Sequence, residues 1–120
     1  VDIGRIVNLD IARQQIEGGL IFGIALALGK GLALNKGHPV PKRLGGLALP
    51  RLAGCPEIVT DFMASDAEPF DPGELGVAIA PPAIANALFS ASGVRAQGLP
   101  LFPESTWLGR NSSFPQTIRL

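Results

Sequence analysis

The chain has 120 residues, with 10 basic and 10 acidic side chains and one histidine, so its formal charge is zero. That length suits one domain with a real core, and neutrality argues against a nucleic-acid binder or an anionic-membrane anchor held by a dense basic patch. With 47% apolar residues it is too hydrophobic for a disordered segment, and one cysteine excludes an internal disulfide framework.

Val1–Val7 alternates loosely between apolar and polar residues and predicts a short strand. Asn8 or Asp10 can then cap a helix from about Ile11 to Leu28, because their side-chain oxygens accept from the free N–H groups of a first turn. Gly29 is its expected stop. The apolar run Leu20–Leu28 is half the length of a bilayer span and is flanked by Glu17 and Lys30, so no transmembrane segment is expected there. Gly19, Gly23 and Ala27 recur at four-residue spacing, the small-residue pattern that lets another backbone come close.

Leu32–Leu34 and Val40 flank a turn at Asn35-Lys36-Gly37, which predicts a hairpin that Pro39 and Pro41 confine to an edge. Pro56–Met63 is the best strand in the chain, and Ala64–Gly76 reads as a long acidic loop. The neutral total hides this asymmetry. Residues 1–51 carry +4, residues 52–94 carry six acids and no base, and residues 95–120 carry +2. Pro81 or Pro82 is the expected first residue of a second helix ending at Gly93, since a proline costs nothing at a first helical position. Beyond residue 101 an irregular tail is expected. The opening Val-Asp-Ile-Gly-Arg is no signal peptide and already reads as structure, which points to a piece of a longer chain.

The sequence contains no Gly-rich phosphate loop, Cys-x-x-Cys, His-Glu-x-x-His or Gly-x-Ser-x-Gly. His38 sits in a turn with no catalytic partner pattern, and Cys55 reads as a small apolar filler. The acids at 66, 68, 71 and 74 do not match a calcium-loop spacing. Two segments remain. Gln15-Ile16-Glu17-Gly18-Gly19 puts paired glycines inside a helix, each at a cost of about 1 kcal/mol relative to alanine, so something must pack close there. Pro72-Gly73-Glu74-Leu75-Gly76 sets a carboxylate between glycines upstream of a helix, where it can project into a crevice and act as a general base.

In order, Asp2-Ile3-Gly4-Arg5…Asn8, Gln15-Ile16-Glu17-Gly18-Gly19, Pro56-Glu57-Ile58, Gly73-Glu74 and Pro82-Ala83-Ile84-Ala85-Asn86-Ala87 resemble the molybdenum hydroxylases. The likeness is to the C-terminal end of the molybdopterin-binding large subunit, in the isoquinoline 1-oxidoreductase and aldehyde dehydrogenase branch, and covers residues 1–101. Asp71-Pro72 stands where that family has Gly-Val or Gly-Ile, Leu75 where it has proline, and Leu9 where proline follows the asparagine.

The resemblance implies an α+β fold of two main helices packed on a small mixed sheet, a fragment of the molybdopterin-binding domain. It assigns Glu74 as the catalytic base, and Gln15 and Gly73 to cofactor binding, with no protein ligand to the metal. The implied cofactor is molybdopterin in its cytosine dinucleotide form, with [2Fe-2S] clusters in a partner subunit. Implied partners are the remainder of the large subunit, an iron–sulfur small subunit and a small-molecule substrate. The implied reaction hydroxylates an aldehyde or N-heterocycle carbon with water-derived oxygen; the compartment, bacterial cytoplasm or periplasm, stays open. The alternative is a truncated, non-catalytic relative serving as a structural or interaction module.

Overall fold

Asn8 opens the first helix by accepting from the Ile11 amide through Oδ1 at 3.0 Å, which satisfies one of the donors a helix start leaves free. The helix, α1, spans Leu9–Leu28 in a computed structural model that describes residues 1–102 and the backbone of 117–119. Its buried residues Ala12, Ile16, Gly19, Leu20, Gly23 and Ala27 recur at helical spacing and form one stripe. Phe22 and Leu26 lie off that stripe and are exposed, so α1 is apolar on more than one face.

After Gly29 come β1 (Ala33–Asn35) and β2 (His38–Val40), an antiparallel hairpin pairing Asn35 with His38. Lys36 and Gly37 both have positive φ (49° and 79°), the geometry of the two-residue turns whose twist matches a hairpin. Two short 3₁₀ turns, Leu44–Leu47 and Leu52–Gly54, lead to β3 (Glu57–Val59). The second long helix, α2, spans Leu75–Ser92, and Gly93 closes it at φ 71° with its N–H on Phe89 O. β4 (Thr117–Arg119) pairs in parallel with β3, Ile58 opposite Ile118.

The core forms where α1 meets α2. Ile16, Leu20 and Ala80 are buried, and Val1, Ile24, Ile58, Phe62 and Leu75 pack around them. The N-terminal segment, β3 and both helices therefore share one apolar centre, and the α+β class holds. The strands form two separate two-stranded ladders among the described residues.

Three expectations are corrected. Val1–Val7 is not a strand. It is an extended segment tied to residues 61–70: the terminal amine of Val1 donates to Asp61 O, Met63 N to Val1 O, Arg5 N to Ala67 O and Phe70 N to Ile3 O, at 2.7–2.9 Å. Gly4, at φ 70°, explains the break in any ladder, and its bare Cα lets the Glu68 carbonyl approach where a side chain would stand.

The second correction concerns α2, which starts at Leu75 with Glu74 at its N-cap, so Pro81 and Pro82 are interior. Each proline strips a donor from the carbonyl four residues back. Ala78 is exposed and its carbonyl can turn to water. The Val77 carbonyl lies against Gly23, 3.0 Å from where a Cβ would be. By length and mean hydropathy (1.4 over 18 residues) α2 could cross a bilayer, yet it packs along α1. Third, residues 117–119 of the expected irregular tail form β4, while 103–116 and 120 lie outside the described residues.

Candidate functional site

The α1–α2 contact is made backbone to backbone. A Cβ on Gly76 would collide with the Leu20 amide and come within 2.7 Å of Gly19 C and Ile16 O. A Cβ on Gly19 would stand 3.2 Å from Gly73 O and 3.3 Å from Gly76 N and Cα. Half of the paired-glycine signal in α1 thus has its explanation, since the turn that begins α2 lies directly on Gly19, whereas nothing lies within 4 Å of a Cβ on Gly18.

That turn carries the two glycine-flanked candidates. Leu75 N donates to Pro72 O at 3.3 Å, and Glu74 sits at φ −108°, ψ 0°, the angles of the third residue of a type I turn and a region where many active-site residues lie. Asp71 Oδ1 accepts from Gly73 N at 2.9 Å. Gly73 does not need positive φ, and a side chain there would press chiefly on the Asp71 carboxylate. A Cβ there would stand 3.1 Å from Asp71 Oδ1 and 3.7 Å from Gln15 Nε2.

Gln15 and Gly73, far apart in sequence, are therefore neighbours in space, and Glu74 follows Gly73 directly. The Gln15 amide is exposed and makes no hydrogen bond among the described residues. Glu74 is likewise exposed, with no side-chain cap bond. Both groups are free to meet a ligand.

Gln15 also lines a cleft of about 320 Å³ between the N-terminal segment and the start of α1. Arg5, Asn8, Phe70, Asp71 and Pro72 share that lining, and Glu74 is not part of it. Sequence reading singled out neither Arg5 nor Asp71 for this wall. The signal for both was present, because Asp2-Ile3-Gly4-Arg5 and Asp71-Pro72 flank the two glycine motifs. His38 and the acids at 66 and 68 stay outside the cleft.

A large planar cofactor held by amide and carboxylate groups needs free donors, a wall without side chains and an open face. Gln15 Nε2 is an exposed, unbonded donor beside Gly73, whereas Gly19 is buried under the turn that starts α2 and is closed to a ligand. The amide of Gln15 and the carboxylate of Glu74 are chemically compatible with molybdopterin.

Residues 1–56 match the family model of the molybdopterin cofactor-binding domain. The chain is 35% identical over 109 residues to a membrane-bound aldehyde dehydrogenase of Gluconacetobacter polyoxogenes named for pyrroloquinoline quinone, covering 91% of this chain and 14% of that protein. It is 34% identical over 106 residues to the aldehyde oxidoreductase molybdenum-binding subunit PaoC of Escherichia coli K12, covering 82% and 14%. It is 29% identical over 111 residues to the isoquinoline 1-oxidoreductase beta subunit of Brevundimonas diminuta, covering 92% and 14%. Among solved structures, the Cu,Mo-CO dehydrogenase in its carbon monoxide reduced state superposes with a TM-score of 0.71 at 23% identity, over 83% of this chain and 14% of that one. The chain thus spans about one seventh of the length of the relatives it matches.

Proposed function

With the chain belonging to the molybdenum hydroxylase family, as a segment of its molybdopterin-binding large subunit, we propose that it supplies the general base and one cofactor wall of an oxidoreductase. The substrate is an aldehyde or an N-heterocycle, hydroxylated at carbon with oxygen drawn from water. The observation that supports this reading is the approach of Gly73, the residue before Glu74, to the free Gln15 amide across the α1–α2 seam.

Molybdopterin, when bound, supplies the two-electron oxidising power. The chain's own residues do the rest. Gln15 Nε2 donates to the cofactor, and Gly73 leaves the space in which it lies. The Glu74 carboxylate takes up the proton that water must lose before its oxygen can bond to carbon, a role worth about 10²–10⁴ in rate. The turn fixes the Glu74 backbone, and the side chain stays free to swing toward the reacting water.

The partners follow from what the piece lacks. Val7, Leu52 and Phe70 are among many large apolar side chains left exposed, a surface suited to the remainder of the large subunit. An iron–sulfur small subunit with [2Fe-2S] clusters would receive the electrons, and the cofactor would carry cytosine dinucleotide. We read α2 as a packed helix of this assembly, not a membrane span.

The test is Glu74→Gln in the complete enzyme, with molybdenum content measured alongside turnover. Turnover should fall by about 10²–10⁴ while molybdenum stays bound. Unchanged turnover would overturn the base assignment. Activity that follows added pyrroloquinoline quinone instead of molybdenum would overturn the cofactor.

A further inference from the structure

Asp71 belongs to this chain's own departures from its family's pattern, and the structure gives it a specific contact. Its Oδ1 accepts the Gly73 N–H at 2.9 Å, an Asx turn closed two residues ahead of itself. Pro72, between them, disfavours the helical region for residue 71 and so presets the extended conformation from which that carboxylate can fold back. On one side, Phe70 N is bonded to Ile3 O at 2.8 Å, which pins residue 70 to the N-terminal segment. On the other, the Gly73 carbonyl and Gly76 lie against Gly19 of α1. Between these two anchors, Asp71 Oδ1 is the acceptor that holds the Gly73 amide, and Gly73 is the residue that faces Gln15 and precedes Glu74.

We propose that Asp71 is the positioning residue of this site: its carboxylate oxygen sets the Pro72–Leu75 turn and so the place of the Glu74 carboxylate relative to Gln15. The inference rests on the reading of Glu74 as the base. Asp71 acts by accepting one N–H, not by its charge, so asparagine, whose amide oxygen can accept the same bond, should replace it and alanine should not.

The experiment compares Asp71→Ala and Asp71→Asn in the complete large subunit. Hydrogen exchange of the peptide spanning 70–77 is followed in the cofactor-free form, and kcat and KM in the loaded enzyme. Asp71→Ala should speed exchange of the Gly73 amide about fivefold, as expected for loss of one hydrogen bond of about 1 kcal/mol at an exposed position. It should also lower kcat about tenfold with KM within about twofold, since the loss falls on placement of the base. Asp71→Asn should restore both. Exchange or kcat unchanged in Asp71→Ala, or Asp71→Asn as impaired as alanine, would overturn the proposal. Glu74→Gln run in parallel separates the two readings. If it retains turnover, the base assignment itself fails. If it abolishes turnover while Asp71→Ala is silent, only the positioning role fails.

Discussion

Gly19, Gly23, Gly76 and Ala80 bring α1 and α2 together with almost no side chain between them, whereas every residue of the β1–β2 hairpin is exposed. The seam is closed by tertiary contact: Ile16 is 1% exposed and its neighbours Leu20 and Ala80 scarcely more. The hairpin is held by its turn, with Leu34 left 69% exposed. One region owes its shape to what it packs against, the other to local backbone chemistry. The candidate site lies at the end of the seam, where Gln15 meets Gly73, so its geometry is defined within this piece although its chemistry needs a larger assembly.

Substitutions can break or sharpen that contrast, each read from the urea midpoint of the complete subunit. Gly76→Val should have the largest effect, a loss of about 3 kcal/mol, because the new atoms fall on the α1 backbone, which cannot step aside. Gly45→Ala, in open space, is its control and should change stability by less than about 0.5 kcal/mol. Equal effects at 76 and 45 would mean the seam is not tight. Gly23→Ala should lose about 2 kcal/mol, since the added carbon would meet Ala80 Cβ at 2.8 Å and the carbonyls of Gly76 and Val77 at 3.0 Å.

The hairpin counterpart is Gly37→Ala, with a loss of about 1 kcal/mol from its φ of 79° alone, there being nothing within 4 Å to clash with. The smallest effect has the opposite sign. Gly18→Ala, next to the seam but facing open space, should gain about 0.5–1 kcal/mol of helix propensity. A loss there would show that the small residues of α1 answer to something other than α2.

The parts legible in the sequence are those where a residue's own chemistry decides the matter. Asn8 caps α1 because its oxygen reaches an amide three residues on, and Gly93 ends α2 because it alone tolerates a left-handed cap cheaply. The Asn35-Lys36-Gly37 turn is of the same kind. Misread were positions where such a local rule was overruled. Pro81 argues for a helix start, yet α2 begins at Leu75, where the Pro72–Leu75 turn and the Gly76 contact with α1 set its first residues. Val1–Val7 has strand-like alternation, but its hydrogen bonds run to a loop at 61–70 that has no period of its own.

The same division holds for the site. Gln15, Gly73 and Glu74 could be picked out from motif order, since residue types and spacing survive in a linear chain. That Gly73 and Gln15 are neighbours could not be, because they lie 58 positions apart and meet only where the turn before α2 sits on α1. By itself the sequence determined the Asn8 cap of α1, the Gly93 end of α2 and the hairpin turn, all of which depend on neighbours within a few residues. Only the tertiary structure decided that two glycine faces touch and that α2 starts before its prolines. Each of those depends on which backbones come close, and backbone proximity is set by packing, which no short window of sequence encodes.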